Sequence, residues 1–228
     1  MFLPKAAIFD LDGTLLDSMW MWKSLDTEFL AQRGHVATQD YTDAIKCMGW
    51  EEGARYTIDR YGLSETPQQV IDAWFAMSED CYRTHVTMKP FAKEYLQLLH
   101  DHGIPMAIAT SMEPSKNIDV VIESNGLRPF FQNITMGSEV TRGKGFPDIY
   151  LLCASRLGVA SEDCAVFEDI LAAVRGAAKG GFQTVGIYDE LSSGEWPQIE
   201  KEATVAVRSW EESRGAGSFS SPGAGCPR

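Results

Sequence analysis

Residues 5–18 read Lys5-Ala6-Ala7-Ile8-Phe9-Asp10-Leu11-Asp12-Gly13-Thr14-Leu15-Leu16-Asp17-Ser18. The first half is a short apolar run without alternation, the pattern of a parallel strand covered on both faces. It ends on an acid, presents a second acid two residues on and turns at Gly13. Comparable runs recur at 104–109, 164–167 and 183–188, with a weaker one at 131–136 and a short sixth candidate at 204–207. Helical patterns fall between them at about 90–101, 114–125, 147–157 and 170–181. Strands alternating with helices of ten or so residues predict an α/β fold built on a doubly wound parallel sheet.

One stretch interrupts the alternation. Between about 18 and 88 no strand pattern occurs, and the amphipathic segments 18–33, 38–47, 50–61 and 67–86 are punctuated by Gly34, Gly49, Gly62 and Pro67. Thr66 before Pro67 is a helix-start signal. Some seventy residues of helix can form a small core of their own, so the chain divides into a catalytic core at 1–17 and 88–212 and an inserted helical cap at 18–87. The cap aromatics Trp20, Trp22, Trp50, Trp74 and Phe75 suit that small core. The segment 213–228, rich in Gly, Ser and Pro, reads as a disordered tail.

Composition narrows the function. Twenty basic residues against 32 acidic ones give a net charge of −12, without the basic footprint of a nucleic-acid binder. No apolar run reaches the length of a membrane span, and residues 2–5 lead straight into the first strand without a secretory signal. A cytoplasmic location is expected. The five cysteines, Cys47, Cys81, Cys153, Cys164 and Cys226, are scattered without a C-x-x-C pair, which fits neither a disulfide framework nor a zinc site.

Ligands of open α/β sheets bind beyond the carboxyl ends of the strands. There the first strand delivers Asp10 and Asp12, the second core strand delivers Thr110 and Ser111, and the strand at 164–167 delivers Glu168 and Asp169. Lys144 stands in Gly143-Lys144-Gly145, just ahead of a helix. Acids, a hydroxyl and one lysine are the parts of a metal-assisted reaction at phosphorus. Carboxylates of Asp10, Asp169 and Glu168 suit Mg²⁺, a hard cation. Asp10 is placed to attack phosphorus and carry an aspartyl phosphate. Asp12 can protonate the leaving oxygen and later activate water. Thr110 and Lys144 can hold and neutralise the phosphoryl group.

The segment from Asp10 to Ser18 resembles the first motif of the haloacid dehalogenase superfamily, D-x-D-G-T-[LV]-x-D-[ST]. Thr110 and Ser111 resemble its second motif, Lys144 its third, and Phe167-Glu168-Asp169 its fourth; Met88-Lys89-Pro90 resembles the re-entry from the cap. The resemblance runs from residue 6 to about 188. It implies a Rossmann-like core with a helical cap between motifs one and two, in the branch of phosphatases and β-phosphoglucomutase-like enzymes. It also implies that the Asp12 backbone carbonyl joins the magnesium ligands. Two departures stand out: Ile170 and Ala173 replace a serine and a glycine common after the fourth motif, and Gly145 loosens the Lys144 loop.

Asp12 argues against the dehalogenases and phosphonoacetaldehyde hydrolases of the superfamily, which lack an acid at this position. Gly137 to Lys144 does not match a P-loop, because its spacing is one residue too long and Lys144 is followed by glycine. The expected activity is Mg²⁺-dependent hydrolysis of a small phosphoester, with a sugar phosphate mutase as the alternative and a silent binding module as a third reading. Lys46 and Trp50, in the cap turn at 46–52, are candidate substrate contacts together with Ser111.

Overall fold

The computed structural model describes residues 3–45, 48, 50–112 and 116–215. The expected parallel sheet is present. In chain order the elements begin with β1 (Ala6–Phe9) and β2 (Leu16–Asp17). Four helices follow, α1 (Met19–Ala31), α2 (Gln39–Ile45), α3 (Trp50–Tyr61) and α4 (Pro67–Thr84), and then β3 (Thr87–Met88). The remainder alternates: α5 (Ala92–Asp101), β4 (Met106–Thr110), α6 (Lys116–Ser124), β5 (Asn133–Met136), α7 (Asp148–Leu157), β6 (Cys164–Glu168), α8 (Leu171–Lys179), β7 (Gln183–Ile187), α9 (Trp196–Glu202), β8 (Val205–Val207) and α10 (Trp210–Gly215).

The six-stranded sheet has the order β5-β4-β1-β6-β7-β8, and every pair in it is parallel. The chain moves outward from β1 through β4 to β5, then crosses back to β6 and continues the other way. Strand β1 therefore stands at the switch point, where the crevice of a doubly wound sheet opens. Its lack of alternation has a direct cause. Ala7 and Phe9 enter one apolar layer with Leu96, Ile108 and Phe167, while Ala6 and Ile8 enter the other with Ile149, Tyr150 and Val166. All four β1 residues are fully buried.

Helices α1–α4 form the insertion, with a core of their own around Phe29, Leu30, Tyr41, Val70 and Trp74. Thr66 caps α4 as its sequence suggests: the hydroxyl accepts from the Gln69 N–H, and Gln69 Oε1 accepts from the Thr66 N–H at 2.8 Å. Buried residues recur every fourth position along α4, at Val70, Trp74, Ser78 and Tyr82. The first two face the cap core, whereas Tyr82 packs into the main core. This one helix therefore ties insertion to sheet.

Two features lie outside the sequence reading. Leu16–Asp17 and Thr87–Met88 pair as an antiparallel ribbon where the chain leaves and re-enters the core, and the Lys89 N–H donates to Leu15 O at 2.8 Å. Helix α10 runs to Gly215, past the boundary expected at 213. It is anchored by Trp210, 1% exposed, whose indole stacks on Phe167 and donates to Thr14 O at 3.1 Å. No described helix is long and apolar enough to cross a membrane.

Candidate active site

Asp10 follows β1 directly and is 7% exposed. Beside it β6 ends in Glu168, with Asp169 next in the chain; they are 1% and 0% exposed. One carboxylate oxygen from each of the three lies within 4.8 Å of the others. The parallel register explains the meeting: Phe9 is level with Phe167, so both strands deliver their acids at the same height.

Lys144 reaches this cluster from the loop before α7. Its ammonium donates to Asp10 Oδ1, and to Glu168 Oε1 at 2.7 Å. Burial alone pulls the lysine pKa down, but the facing charges of Asp10 and Glu168 more than reverse this and hold the ammonium above its ordinary value. Tyr150, on the buried face of α7, donates its hydroxyl to the same Glu168 oxygen at 2.9 Å. Burial nevertheless pushes Glu168 up to about 7, with Lys144 opposing the rise. Asp169 is displaced well upward, first by burial and then by repulsion from Asp10 and Glu168. Its hydrogen-bond donors are the hydroxyls of Thr14, at 3.3 Å, and Ser192, at 3.2 Å.

Neutral donors do not balance a buried carboxylate, and three acids here face one bonded ammonium. Such a set of hard oxygen ligands suits a divalent cation, which Asp10, Glu168 and Asp169 would hold. The Asp12 side chain is not in the set. Its Oδ1 accepts instead from Ser18 Oγ at 2.6 Å and from Tyr82 Oη at 2.7 Å. Burial lifts its pKa to about 6, against the pull of the Ser18 bond. An acid near 6 is suited to give and take protons close to neutrality.

Gly13 makes the turn between these groups, with φ at 82°. A methyl group there would lie 2.8 Å from Asp169 Cγ and 3.1 Å from Met19 Cγ, so the position needs glycine for space as well as for backbone conformation. Thr110 is buried at the end of β4, and its Oγ1 accepts from the Met112 N–H at 3.1 Å. That bond uses a lone pair and not the hydroxyl hydrogen. Ser111 is exposed just beyond it.

The cap candidates fare differently. The Trp50 ring packs against Phe75 and Trp74, with centroids 4.9 Å and 6.2 Å apart, among the apolar side chains of the cap. Lys46 lies outside the described residues. Ser18, Tyr82, Tyr150 and Ser192 contact the acids without having been singled out. Tyr82 is 70 residues from Asp12 in sequence, and only the fourfold spacing of buried residues on α4 hints at its direction.

The Ile170 departure also has a structural answer. Ile170 cannot cap α8 with its side chain, and Glu195 takes that role by accepting from the Leu171 N–H at 3.0 Å.

With this geometry in view, the family model described as haloacid dehalogenase-like hydrolase matches residues 7–187. The chain belongs to this family. Among its haloacid dehalogenase-like relatives, Protein CbbY of Rhodobacter capsulatus is 27% identical, over 89% of this chain and 97% of its own length. A phosphorylated carbohydrates phosphatase of Thermotoga maritima is 25% identical, over 83% of this chain and 88% of its own. The crystal structure of a putative β-phosphoglucomutase from Thermotoga maritima superposes with a TM-score of 0.78 at 25% identity, covering 91% of this chain and 95% of that one. All four motifs read from the sequence fall inside the matched family segment.

Proposed function

We propose that the protein hydrolyses the phosphomonoester of a small metabolite, with the phosphoryl group carried transiently on Asp10. The observation that carries this reading is the buried Asp10–Glu168–Asp169 cluster at the ends of two adjacent parallel strands, with Lys144 bonded to Asp10 and Glu168. Mg²⁺ is the cation we assign to the three acids; when bound, it lowers the repulsion between an anionic nucleophile and an anionic phosphate.

The chain's own groups supply the rest. Asp10 Oδ attacks phosphorus as the bond to the leaving oxygen breaks. Asp12 gives that oxygen a proton, for which its carboxyl must turn from Ser18 and Tyr82 toward the reaction centre. Thr110 donates its hydroxyl hydrogen to a phosphoryl oxygen, and Lys144 places positive charge beside both nucleophile and phosphate. In the second half, Asp12 takes a proton from water attacking the aspartyl phosphate, which frees Asp10 and inorganic phosphate. Lys46 and Ser111 remain proposed substrate contacts, whereas the packing of Trp50 favours a structural role for that ring. The acidic balance of the chain favours a small phosphorylated molecule over nucleic acid as substrate. A reducing, cytoplasmic setting accords with the buried free thiols of Cys153 and Cys164.

Turnover of p-nitrophenyl phosphate and a panel of sugar and polyol phosphates, with Mg²⁺ and with EDTA, tests the reading. Metal-dependent release of phosphate that disappears in Asp10→Asn supports it; no turnover on any phosphoester defeats it. The extended likeness to a putative β-phosphoglucomutase supports a second reading, a mutase. Formation of glucose 6-phosphate from glucose 1-phosphate supplied with glucose 1,6-bisphosphate would replace the hydrolase by that reading.

A further inference from the structure

Within the loop around Lys144 the Phe146 N–H donates to Gly143 O at 3.0 Å and Arg142 pairs with Asp148, but the two glycines beside Lys144 are loosely packed. A side chain at Gly143 would meet nothing within 4 Å, and one at Gly145 would reach only Ala172 O at 4.0 Å. Space therefore requires neither flanking glycine. The opposite holds on the facing helix. A methyl group at Gly176 of α8 would overlap the carbonyl oxygen of Lys144 outright, and would lie 2.9 Å from the carbonyl carbon of Gly145 and 3.0 Å from that of Lys144. These are backbone atoms, which cannot swing aside like the end of a side chain. Three residues on, along the same helix face, Lys179 donates to Gly145 O at 3.2 Å and sits 5.5 Å from the ring centre of Phe146. Helix α8 thus presents the loop with a notch and a clamp.

We propose that Gly176 is a positioning residue for the reaction. The notch left by its missing side chain sets how deeply the Lys144 loop seats, and hence where the ammonium meets Asp10, Glu168 and the phosphoryl group. Helix α8 begins two residues after Asp169, so the same rigid element places the acid and the cation relative to each other. The flexibility that Gly145 gives the loop is taken up by this seat.

The proposal rests on the hydrolase reading for its kinetic test, a cycle of Gly176→Ala, Lys144→Ala and the double variant in the full chain, read as kcat on p-nitrophenyl phosphate at saturating Mg²⁺. Relieving the overlap displaces the loop by about 1 Å, and misplacement of that size costs on the order of 10²-fold. Gly176→Ala is expected to lower kcat by roughly 30- to 100-fold when Lys144 is present and by less than about threefold when it is not. An equal loss in both backgrounds, as a general structural role gives, overturns the proposal. So does unchanged turnover, the result for an unconstrained helix position where alanine is the better helix former.

Should Gly176→Ala not accumulate as folded protein, Lys179→Met, which removes only the exposed clamp, runs the same cycle. A loss of roughly 3- to 10-fold confined to the Lys144 background supports the seat, and a loss independent of Lys144, or none, overturns it. A wild-type protein inactive on every phosphoester marks failure of the hydrolase reading instead. A crystal structure of Gly176→Ala, or of Lys179→Met, then decides: Lys144 Nζ displaced from Asp10 supports the seat, and an unmoved Nζ overturns it.

Discussion

Replacement of Asp169 by asparagine separates the cost of the acid cluster from its purpose. Asn is nearly isosteric; its carbonyl oxygen can accept from one of the two hydroxyls, Thr14 or Ser192, and its NH2 can donate to the other, so the main change is the loss of an ionisable group beside Asp10 and Glu168. The strain of that group is visible at Asp169 itself, whose pKa is displaced well upward by burial first and then by repulsion from Asp10 and Glu168. Each pH unit of such a rise corresponds to about 1.4 kcal/mol against the ionised form. Replacing this buried acid by a neutral amide is expected to recover about 1–2 kcal/mol, or about 2–8 °C in Tm for a chain of this size. In EDTA at pH 7.5, Asp169→Asn should therefore melt above the wild type. With Mg²⁺ at a hundredfold excess over Kd the wild type gains about 2.7 kcal/mol, and the order closes or reverses because the variant has lost a ligand. Calorimetry of both proteins in EDTA and in Mg²⁺ gives the four values needed. A variant less stable than wild type in EDTA would show that the Asp169 acid does not strain the metal-free site, and one stabilised equally by Mg²⁺ that Asp169 does not hold the cation.

The same acids give the metal-free protein a pH dependence. Glu168 holds its proton up to about pH 7 in the folded state but only to about 4.5 when unfolded, and Asp12 behaves alike between 3.8 and about 6. The folded state binds more protons across that interval, so this contribution to stability falls as pH rises from about 4 to 7 and levels off above; a Tm series in EDTA checks it. Tyr82→Phe removes a donor to the Asp12 carboxylate, and the alkaline limb of kcat/KM is expected to move up by about one pH unit; an unmoved limb would show that this bond does not tune Asp12. Trp210→Ala deletes a ring stacked on Phe167 and the hydrogen bond to Thr14 O, at an expected cost of about 3–5 kcal/mol in denaturant unfolding.

Much of the sheet was legible because β1, β4 and β6 are covered on both faces and read as mostly apolar runs. The acids were legible because each follows such a run directly. The antiparallel ribbon was not: two residues per strand carry no period, and the pairing of Leu16 with Met88 joins points 72 positions apart. Helix α10 was hidden by the Gly- and Ser-rich composition after it, although Trp210 is its anchor. The turning of Asp12 toward Tyr82, the Glu195 cap on α8 and the notch at Gly176 all depend on contacts between elements, and local pattern does not encode them. The Lys144 loop shows this most clearly, since its flanking glycines drew the eye while the glycine that space requires lies 32 positions later.

If Asp10 itself carries the phosphoryl group, the covalent adduct can be trapped on it. Rapid quenching of the enzyme during turnover of a phosphoester, followed by peptide mapping by mass spectrometry, tests it most directly. A phosphoryl adduct is expected on the peptide containing Asp10, formed in the presence of Mg²⁺ and absent from Asp10→Asn. Full turnover with no adduct on that peptide, or an adduct that persists in Asp10→Asn, would contradict it.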